Sequence, residues 1–355
     1  MKTMCTTNRL CLAAILLLVN CMGAWGEDLE SLKKKEINKS FNVAPSDQLN
    51  VDNKYGSITV AYWEKNEVAI RVVVEAEARN DRAAQDELDR VDVSLSKSGN
   101  TVYAVTSIRN RTGGGNSRFT VRYFINMPSK LKAAIAQKYG DINMPDNNDG
   151  KYSLEVKYGG IHAGNFSQPL QIEAGYSNIV LGDVTQARIE ARYCGGIKLN
   201  NVDELDIDCK YSNLNLHNAG ELQVENSYGN IKAENVNNLS ISTRYGDANI
   251  EYLKETLSAS TLSYSSINIG RLDAAFKSVS ADAHYGTLKV KAPAQSSFRI
   301  SAEGMKYGNI SVNGLTITES NIDNKTNHYY RINGGGGGHI RFQGNNYGSL
   351  QVNAL

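Results

Sequence analysis

Hydrophobic and polar positions alternate in short runs along most of this chain, and many of these runs end at a tyrosine. Around Tyr228, apolar side chains fall at Leu222 and Val224 before the tyrosine and at Ile231 after it. Side chains two positions apart lie on one face of a β-strand, so each run predicts a half-buried strand. The alternation changes phase just after the tyrosine and again near Val236, which predicts corners at both places.

The tyrosine, followed by a small residue, recurs at twelve places: Tyr55, Tyr139, Tyr158, Tyr176, Tyr193, Tyr211, Tyr228, Tyr245, Tyr264, Tyr285, Tyr307 and Tyr347. A fixed period in this range is typical of stacked repeats, because one unit cannot bury its own apolar face. Strict hexapeptide repeats, which favour the left-handed type, are absent. The sequence therefore predicts an all-β chain, and specifically a right-handed parallel β-helix (solenoid) with tyrosine-marked rungs of 17 to 22 residues.

The residues that follow each tyrosine suit a tight corner. Glycine comes next in eight copies, and asparagine or aspartate often follows. Glycine accepts a positive φ, whereas Asn and Asp bond their own backbone in turns and can bond one coil to the next. We expect the tyrosine rings to pack on one another, facing the core or its corner, rather than to form a strip for stacking on sugars.

Between Tyr55 and Tyr139 the period lapses, and a different pattern fills the gap. It predicts a strand, a short helix, a hairpin and a further strand, at 68–76, 80–90, 91–108 and 119–125. We interpret this segment as an antiparallel insertion that carries one short helix and caps the first end of the solenoid.

Two glycine-rich segments are candidate ligand loops. The loop at 109–118 carries Arg109, Arg111 and Arg118 beside three glycines, and a hairpin tip is the favoured interpretation over a polyanion site. The run Gly334–Gly338 has no following Lys-Ser/Thr and therefore predicts a flexible connection rather than a phosphate loop.

The start of the chain predicts export. Lys2 and Arg9 precede ten apolar residues, and the small residues Ala24 and Gly26 follow, which is the pattern of a signal peptide. Cys21 offers a lipid anchor as a less favoured alternative, because Asn20 stands before it. We predict a protein of the periplasm or of the outer-membrane or cell surface, with no transmembrane helix in the mature chain. The predicted domains are a signal peptide, an N-terminal lead-in, a first rung with the capping insertion, and a parallel β-helix, at 1–26, 27–48, 49–130 and 131–355.

Charge and cysteine content exclude some classes of protein. A net charge of +1 argues against a nucleic-acid-binding protein that relies on bulk electrostatics. Outside the predicted signal, Cys194 and Cys209 occupy different places in successive repeats. Their Cα atoms are expected to lie beyond the disulfide limit of about 7 Å, so we predict two buried free thiols.

Two outward columns precede the tyrosines. The residue just before the tyrosine is basic in seven copies: Lys54, Lys138, Lys157, Arg192, Lys210, Arg244 and Lys306. The residue three before it is acidic in seven copies: Asp52, Glu155, Glu173, Glu190, Asp208, Glu225 and Asp282. A basic stripe alone would suggest a polyanionic glycan as ligand. Because exposed ion pairs contribute only about 0–1 kcal/mol, a solvated and mutually neutralising surface is favoured, and the basic stripe is a speculative binding site.

The sequence gives little support for catalysis. The five histidines share neither a column nor a metal-ligand spacing, and no nucleophile elbow or zinc-binding helix is present. We therefore predict no metal, no cofactor and no enzyme activity. Glycoside hydrolysis by a pair of aligned carboxylates stays an alternative, because the distance between two carboxylates cannot be read from a sequence.

The stretch LNVDNKYGSITV at 49–60, followed by Trp63 and the predicted strand at 68–74, resembles the bacterial putative adhesins. It is similar to exported proteins of Bacteroidetes that are related to the head domains of auto-transporter adhesins. The resemblance extends from about residue 38 to 355 and implies a right-handed β-helix built on a repeated Tyr-Gly-x-Ile-x-Val element. It implies no catalytic residues.

The leading hypothesis is a noncatalytic cell-envelope protein whose rigid surface binds a glycan, a surface polymer or another protein. The first alternative is a polysaccharide-degrading enzyme, a lyase or glycosidase, on a β-helix. The second is a purely architectural periplasmic protein.

Overall fold

The computed structural model describes residues 31–110 and 117–355, which divide into two compact units. The first unit contains the described residues 31–36, 73–92, 107–110 and 117–120, and the second contains 37–72, 93–106 and 121–355. The predicted signal peptide with Cys21 lies outside the described residues, and so does the part of the arginine loop that holds Arg111 and its glycines.

The described residues are all-β, with a large mixed sheet and a single helix, α1 (Asp81–Arg90). The strands that precede and include the insertion are β1 (Ser31–Asn42), β2 (Gln48–Lys54), β3 (Gly56–Tyr62), β4 (Glu67–Ala78), β5 (Val91–Ser98), β6 (Thr101–Ile108) and β7 (Ser117–Met127). The next group is β8 (Lys132–Lys138), β9 (Ile142–Asn143), β10 (Asn147–Asn148), β11 (Tyr152–Lys157), β12 (Gly160–His162), β13 (Asn165–Phe166), β14 (Leu170–Gly175), β15 (Asn178–Leu181) and β16 (Val184–Arg192). The remaining strands are β17 (Gly196–Lys210), β18 (Leu214–Ser227), β19 (Ile231–Arg244), β20 (Ala248–Ser263), β21 (Ser266–Leu272), β22 (Ser278–His284), β23 (Thr287–Ala292), β24 (Phe298–Glu303), β25 (Asn309–Asn313), β26 (Ile317–Asp323), β27 (Asn327–Ile332), β28 (His339–Asn345) and β29 (Ser349–Ala354).

The first unit contains the helix that the sequence predicts. Asn80 is the N-cap, with extended backbone, and its side chain accepts a hydrogen bond of 2.9 Å from the N–H of Ala83. That bond satisfies one of the unpaired N–H groups at the start of a helix. Ala84 and Leu88 are buried, as the pattern predicts.

In the second unit, the strand before one tyrosine pairs in parallel with the strand before the next. Between β16 and β17, for example, Ile189 faces Ile207, and between β17 and β18 Ile207 faces Val224. Apolar residues at the same distance from successive tyrosines thus form buried columns, which constitute the core. One such column precedes the tyrosine and another follows it: Ile172, Ile189, Ile207, Val224 and Ile241; and Ile179, Ile197, Leu214, Ile231 and Ala248.

At the corner after each strand, the residue with a positive φ is the tyrosine and not the glycine that the sequence predicts. Eleven of the twelve tyrosines have φ between 49° and 64°, whereas among the glycines that follow them only Gly140, at 151°, has a positive φ. Glycine is needed for another reason. A Cβ on Gly229 would lie 1.9 Å from the carbonyl oxygen of Ser212, so only glycine lets the two backbones approach this closely.

The corner asparagines bond one tyrosine repeat to the next, as predicted. The side-chain oxygen of Asn213 accepts a hydrogen bond of 3.0 Å from the N–H of Asn230. Asn230 in turn accepts one of 3.2 Å from the N–H of Asp247. These bonds satisfy backbone donors that the turn leaves without a partner in its own coil.

Within the second unit, the prediction of antiparallel pairing for the insertion is wrong for two strands. Residues 101–105 of β6 pair in parallel with β2, and residues 121–127 of β7 pair in parallel with β3. Alternation identifies a strand but carries no information on its direction, and the intervening chain is long enough to return on the same side.

The last strands of the second unit do not pair in chain order. Strand β28 pairs in parallel with both β22 and β24, and therefore lies between them. Likewise, β29 lies between β23 and β25. An antiparallel excursion, β24–β27–β26, and the glycine-rich loop at 333–338 carry the chain back to this position.

Cys194 and Cys209 are both buried and both free, which confirms the prediction of two thiols. Burial raises the pKa of Cys209 to about 12, and burial also raises the pKa of Cys194.

Candidate functional site

The twelve tyrosine rings of the second unit form one continuous file, which we call the tyrosine ladder. Successive ring centroids are 4.7–5.3 Å apart and the ring planes differ by 4–23°. The file follows the chain from Tyr55 to Tyr285 and then continues to Tyr347 and Tyr307, because β28 lies between β22 and β24.

The rings are half-exposed, with 40–55% of each residue accessible to solvent. The expectation that they pack on one another is confirmed, and of the two expected positions, the core or its corner, the rings lie at the corner. The strand pattern ends at the residue before the tyrosine, and the positive φ then turns the ring outward. Because each interior ring has a neighbour on both faces, what it offers a partner is its edge and its hydroxyl group.

Backbone hydrogen bonds hold the tyrosines in this conformation. The N–H of Tyr211 donates to the carbonyl oxygen of Ser227 at 2.9 Å, and the N–H of Tyr193 donates to that of Lys210 at 2.9 Å. A left-handed conformation costs a residue with a Cβ about 1–2 kcal/mol. Each stacked pair contributes about 0.5–1.5 kcal/mol beyond area burial, so stacking on two sides offsets the strain.

The structure brings most of the predicted basic stripe together beside the ladder. Lys138 lies opposite both Lys54 and Lys157, and Arg192 lies opposite Lys210. The column is interrupted by residues without a positive charge, since Gly175 stands between Lys157 and Arg192 and Ser227 stands between Lys210 and Arg244. Lys306 lies outside the strands, with its ammonium group 5.2 Å from the centroid of the Tyr307 ring.

The acidic column neutralises part of this stripe. Lys157 is 2.8 Å from Glu155 and 3.5 Å from Glu173, and Arg192 is 2.5 Å from Asp208. The hydrogen bond to Glu155 raises the pKa of Lys157, and that to Asp208 raises the pKa of Arg192.

Three other members of the stripe keep their charge available. Lys138, Lys210 and Arg244 are exposed, and within the described part of the chain they have no ion pair. The surface beside the ladder is therefore partly neutralised rather than uniformly basic.

A second feature, a polar groove, crosses the outer face of the strands that precede the tyrosines. It consists of a cavity of about 330 Å³ over β17–β20 and one of about 420 Å³ over β20, β22, β24 and β28, and Ser258 lines both. We call this feature the serine groove, because short side chains in one register column form its floor: Ser240, Ser258, Ser280 and Ser301.

The wider end of the serine groove holds charged groups of both signs. Asp282, Gln343 and Glu303 stand side by side on β22, β28 and β24, so the two carboxylates are two strand spacings apart, about 9.6 Å between backbones. Arg341 lies between Ser280 and Ser301 and has no ion pair among the residues that the structure describes.

A histidine lies at the same end. The Nε2 of His339 is 2.8 Å from the hydroxyl oxygen of Ser301. Partial burial, together with the nearby Arg341 and Arg299, lowers the pKa of His339 below its usual value, so the ring is neutral near pH 7.

Sequence reasoning missed the serine groove. The serines were visible two positions from the acidic column, but Gln343 and Arg341 come more than fifty residues after Asp282. Only the out-of-order placement of β28 brings them together.

Two observations bear on other chemistry. Across residues 31–110 and 117–355, no three His, Cys, Asp or Glu side chains are grouped so as to hold a metal ion. In the same residues, no helix has the length and apolar character required to cross a membrane.

No family model and no curated protein matches this chain. Among solved structures, it is similar to a putative adhesin from Parabacteroides distasonis, with 12% identity over 90% of this chain and 97% of that chain and a TM-score of 0.33. It is also similar to a putative cell adhesion protein from Clostridium sporogenes, with 11% identity, 91% and 100% coverage and a TM-score of 0.21. A third similar structure is a putative lipid binding protein from Parabacteroides distasonis, with 11% identity, 90% and 96% coverage and a TM-score of 0.29. The adhesin name that the sequence resemblance predicted is thus found among the solved structures that the chain resembles.

Proposed function

We propose that this protein is a noncatalytic, exported putative adhesin that binds a glycan or protein partner along the tyrosine ladder. The observation that carries the proposal is the continuous file of twelve half-exposed, stacked rings. Large exposed apolar surface on a soluble protein commonly marks a binding site, and tyrosine is enriched in protein interfaces.

The scaffold that we propose for this surface is a right-handed parallel β-helix. Parallel pairing of residues one tyrosine apart, repeated from β14 to β20, supports it. Rings held by stacking on both sides and by backbone hydrogen bonds lose little freedom on binding, which favours affinity.

The proposed contact has two chemical parts. Ring edges and hydroxyl groups of the ladder meet the partner directly, and Lys138, Lys210 and Arg244 attract its negative groups. Because the ring faces are covered, flat stacking of sugars on the interior rings is not part of the proposal.

The proposed domains are the predicted ones, with residues 1–26 removed on export and the mature chain located in the periplasm or at the cell surface. N-terminal sequencing of the exported protein is expected to begin at Glu27. Protease treatment of intact cells is expected to cleave the protein if it is an adhesin on the surface. Complete protection would instead favour the architectural periplasmic role.

The ladder is tested with the mature chain on glycan arrays and on mucin- and collagen-coated surfaces. Wild type is expected to bind at least one of them. A fourfold variant, Tyr176→Phe, Tyr193→Phe, Tyr211→Phe and Tyr228→Phe, keeps the stacked rings but removes their hydroxyl groups, and is expected to bind several-fold more weakly.

Bulk charge is controlled with two matched triple variants. Lys138→Ala, Lys210→Ala and Arg244→Ala removes charges beside the ladder, whereas Lys198→Ala, Lys289→Ala and Lys291→Ala removes the same charge from strands after the tyrosine. The first triple variant is expected to weaken binding and the second to leave it unchanged. No binding by wild type on any surface, or equal effects of the two triple variants, would contradict the proposal.

One observation favours a second candidate function, a polysaccharide-degrading enzyme. Asp282 and Glu303 stand in one column with a single strand between them, and glycosidases use two carboxylates that flank the scissile bond. Release of reducing ends from polysaccharides by wild type, and its loss in both Asp282→Asn and Glu303→Gln, would establish this function instead.

A further inference from the structure

We propose that the serine groove is a binding site for a neutral oligosaccharide chain that lies across successive strands. The inference adds a second site and its ligand class to the proposed function. It rests on that proposal only in assuming that the protein binds a ligand. The site is separate from the tyrosine ladder, because its floor lies on the strands before the tyrosine rather than at the corner.

The shape of the groove suits an extended polymer. The two cavities, of about 330 and 420 Å³, meet at Ser258 and together cross seven adjacent strands: β17, β18, β19, β20, β22, β28 and β24. Six strand spacings correspond to about 29 Å. Each cavity alone is within the size range of small-ligand sites, about 300–1,000 Å³.

The depth of the groove follows from side-chain size. Ser258, Ser280 and Ser301 form its floor, and Arg341 stands in the same column between Ser280 and Ser301. Longer side chains border the serine column two positions away: Glu221 and Asn238 before it on β18 and β19, and Asp282, Gln343 and Glu303 after it on β22, β28 and β24. A polymer lying over the serines is therefore bordered by hydrogen-bonding groups on one side at the narrow end and on the other side at the wide end.

The chemistry of the lining suits hydroxyl groups, which donate and accept hydrogen bonds at once. Arg341 has only donors, Asp282 and Glu303 have only acceptors when ionised, and the serines, Gln343 and neutral His339 have both. At the wide end of the groove these groups converge within a single cavity. Arg341 is available to a ligand, since no carboxylate pairs with it among the described residues.

Charge excludes a polyanion from this site. Five carboxylates line the groove, on Glu204, Asp206, Glu221, Asp282 and Glu303, against the single lining guanidinium of Arg341. Asp206 is 3.2 Å from Arg188, and the other four have no ion pair among the described residues. Like charges at this density repel uronic acid or sulfated chains, whereas neutral sugars meet only hydrogen-bonding groups. The ladder, with its basic column, has the opposite preference.

The test uses the mature chain and five neutral hexasaccharides: cellohexaose, mannohexaose, xylohexaose, maltohexaose and laminarihexaose. Binding is measured by calorimetry, with oligogalacturonate as the anionic comparison. Wild type is expected to bind at least one neutral hexasaccharide with a Kd of 1 mM or below and to bind oligogalacturonate at least tenfold more weakly.

Two variants locate the site. Ser280→Trp fills the floor of the groove from the solvent side and is expected to weaken binding at least tenfold, while Arg341→Gln is expected to weaken it about three- to tenfold. The matched control is Ser153→Trp, a serine at the same distance from its tyrosine that lines neither cavity; it is expected to bind as wild type does. Circular dichroism of each variant checks that the fold is retained.

Three results would overturn the inference: no binding of any of the five hexasaccharides, preferential binding of oligogalacturonate, or unchanged binding in the folded Ser280→Trp variant. If the ladder variants lose their partner while Ser280→Trp still binds the hexasaccharide as wild type does, the proposed function stands and the groove assignment fails. If a bound hexasaccharide is cleaved, the groove assignment stands and the noncatalytic function fails.

Discussion

Replacement of Tyr211 tests whether stacking offsets backbone strain in the ladder. Tyr211 has φ of 53° and lies between Tyr193 and Tyr228, with ring centroids 4.9 and 4.7 Å away. Removing the ring forfeits two stacked contacts, about 1–3 kcal/mol, and the burial of the covered part of the ring, about 2 kcal/mol. We therefore expect Tyr211→Ala to lower the free energy of unfolding by about 3–5 kcal/mol.

The more specific expectation is the sign of the stability difference between Tyr211→Gly and Tyr211→Ala. In an ordinary strand, glycine is less stable than alanine by about 0.5–1 kcal/mol. At a positive φ, glycine avoids a strain of about 1–2 kcal/mol that alanine keeps. Tyr211→Gly is therefore expected to be more stable than Tyr211→Ala by about 1 kcal/mol, and Tyr211→Phe to match wild type.

Tyr307 is the matched control. It ends the file, has one stacked neighbour, Tyr347 at 5.1 Å, and is not among the residues with positive φ. Tyr307→Ala is expected to cost less than Tyr211→Ala, and Tyr307→Gly is expected to be less stable than Tyr307→Ala.

The measurement is urea unfolding followed by far-ultraviolet circular dichroism and by tyrosine fluorescence, whose coincidence checks two-state behaviour. A Tyr211→Ala variant within about 0.5 kcal/mol of wild type would show that stacking contributes nothing. A Tyr211→Gly variant less stable than Tyr211→Ala would refute the strain argument.

Three further predictions concern the interior of the second unit. Gly229→Ala places a Cβ 1.9 Å from the carbonyl oxygen of Ser212 and is expected to lower the free energy of unfolding far more than Gly99→Ala. At Gly99 the added Cβ meets no atom within 4 Å, so only a backbone strain of about 1–2 kcal/mol is expected. Urea unfolding of both variants checks this. Asn53 is buried, donates to the Val121 carbonyl at 2.9 Å and to Gln137 at 3.0 Å, and accepts from Thr106. Asn53→Ala is therefore expected to lower the free energy of unfolding by about 2–4 kcal/mol in the same assay. An unchanged urea midpoint would contradict this. The pKa of Cys209 rises from 9.0 to about 12, so between these pH values the unfolded thiol loses its proton while the folded one keeps it, and folding becomes less favourable as the pH rises. The stability advantage of wild type over Cys209→Ala is therefore expected to shrink between pH 8 and pH 10.5, and a constant difference would contradict the burial of this thiol.

Part of the fold could be read from local pattern. The inward columns around Tyr176, Tyr193, Tyr211 and Tyr228 follow from alternation, because one buried face leaves little freedom in register. The helix at 81–90 follows from its cap at Asn80 and its apolar spacing.

Other features depend on contacts that local pattern does not contain. Glycine was the expected residue at a positive φ, and tyrosine takes that conformation because of stacking between residues 17 or more apart in the chain. In the last part of the chain β28 pairs between β22 and β24, and a sequence period carries no information on that strand order. The serine groove depends on this order and was missed with it.

The placement of β28 and β29 has a consequence for assembly during synthesis. Residues 339–354 leave the ribosome after both layers that they separate, 278–292 and 298–313. If residues 278–292 pair directly with residues 298–313 first, β28 and β29 have no strand edges left to pair with. The protein is then trapped in a misfolded intermediate. Keeping those strand edges unpaired until residues 339–354 are available is a kinetic requirement that β16–β20, which pair in chain order, do not have.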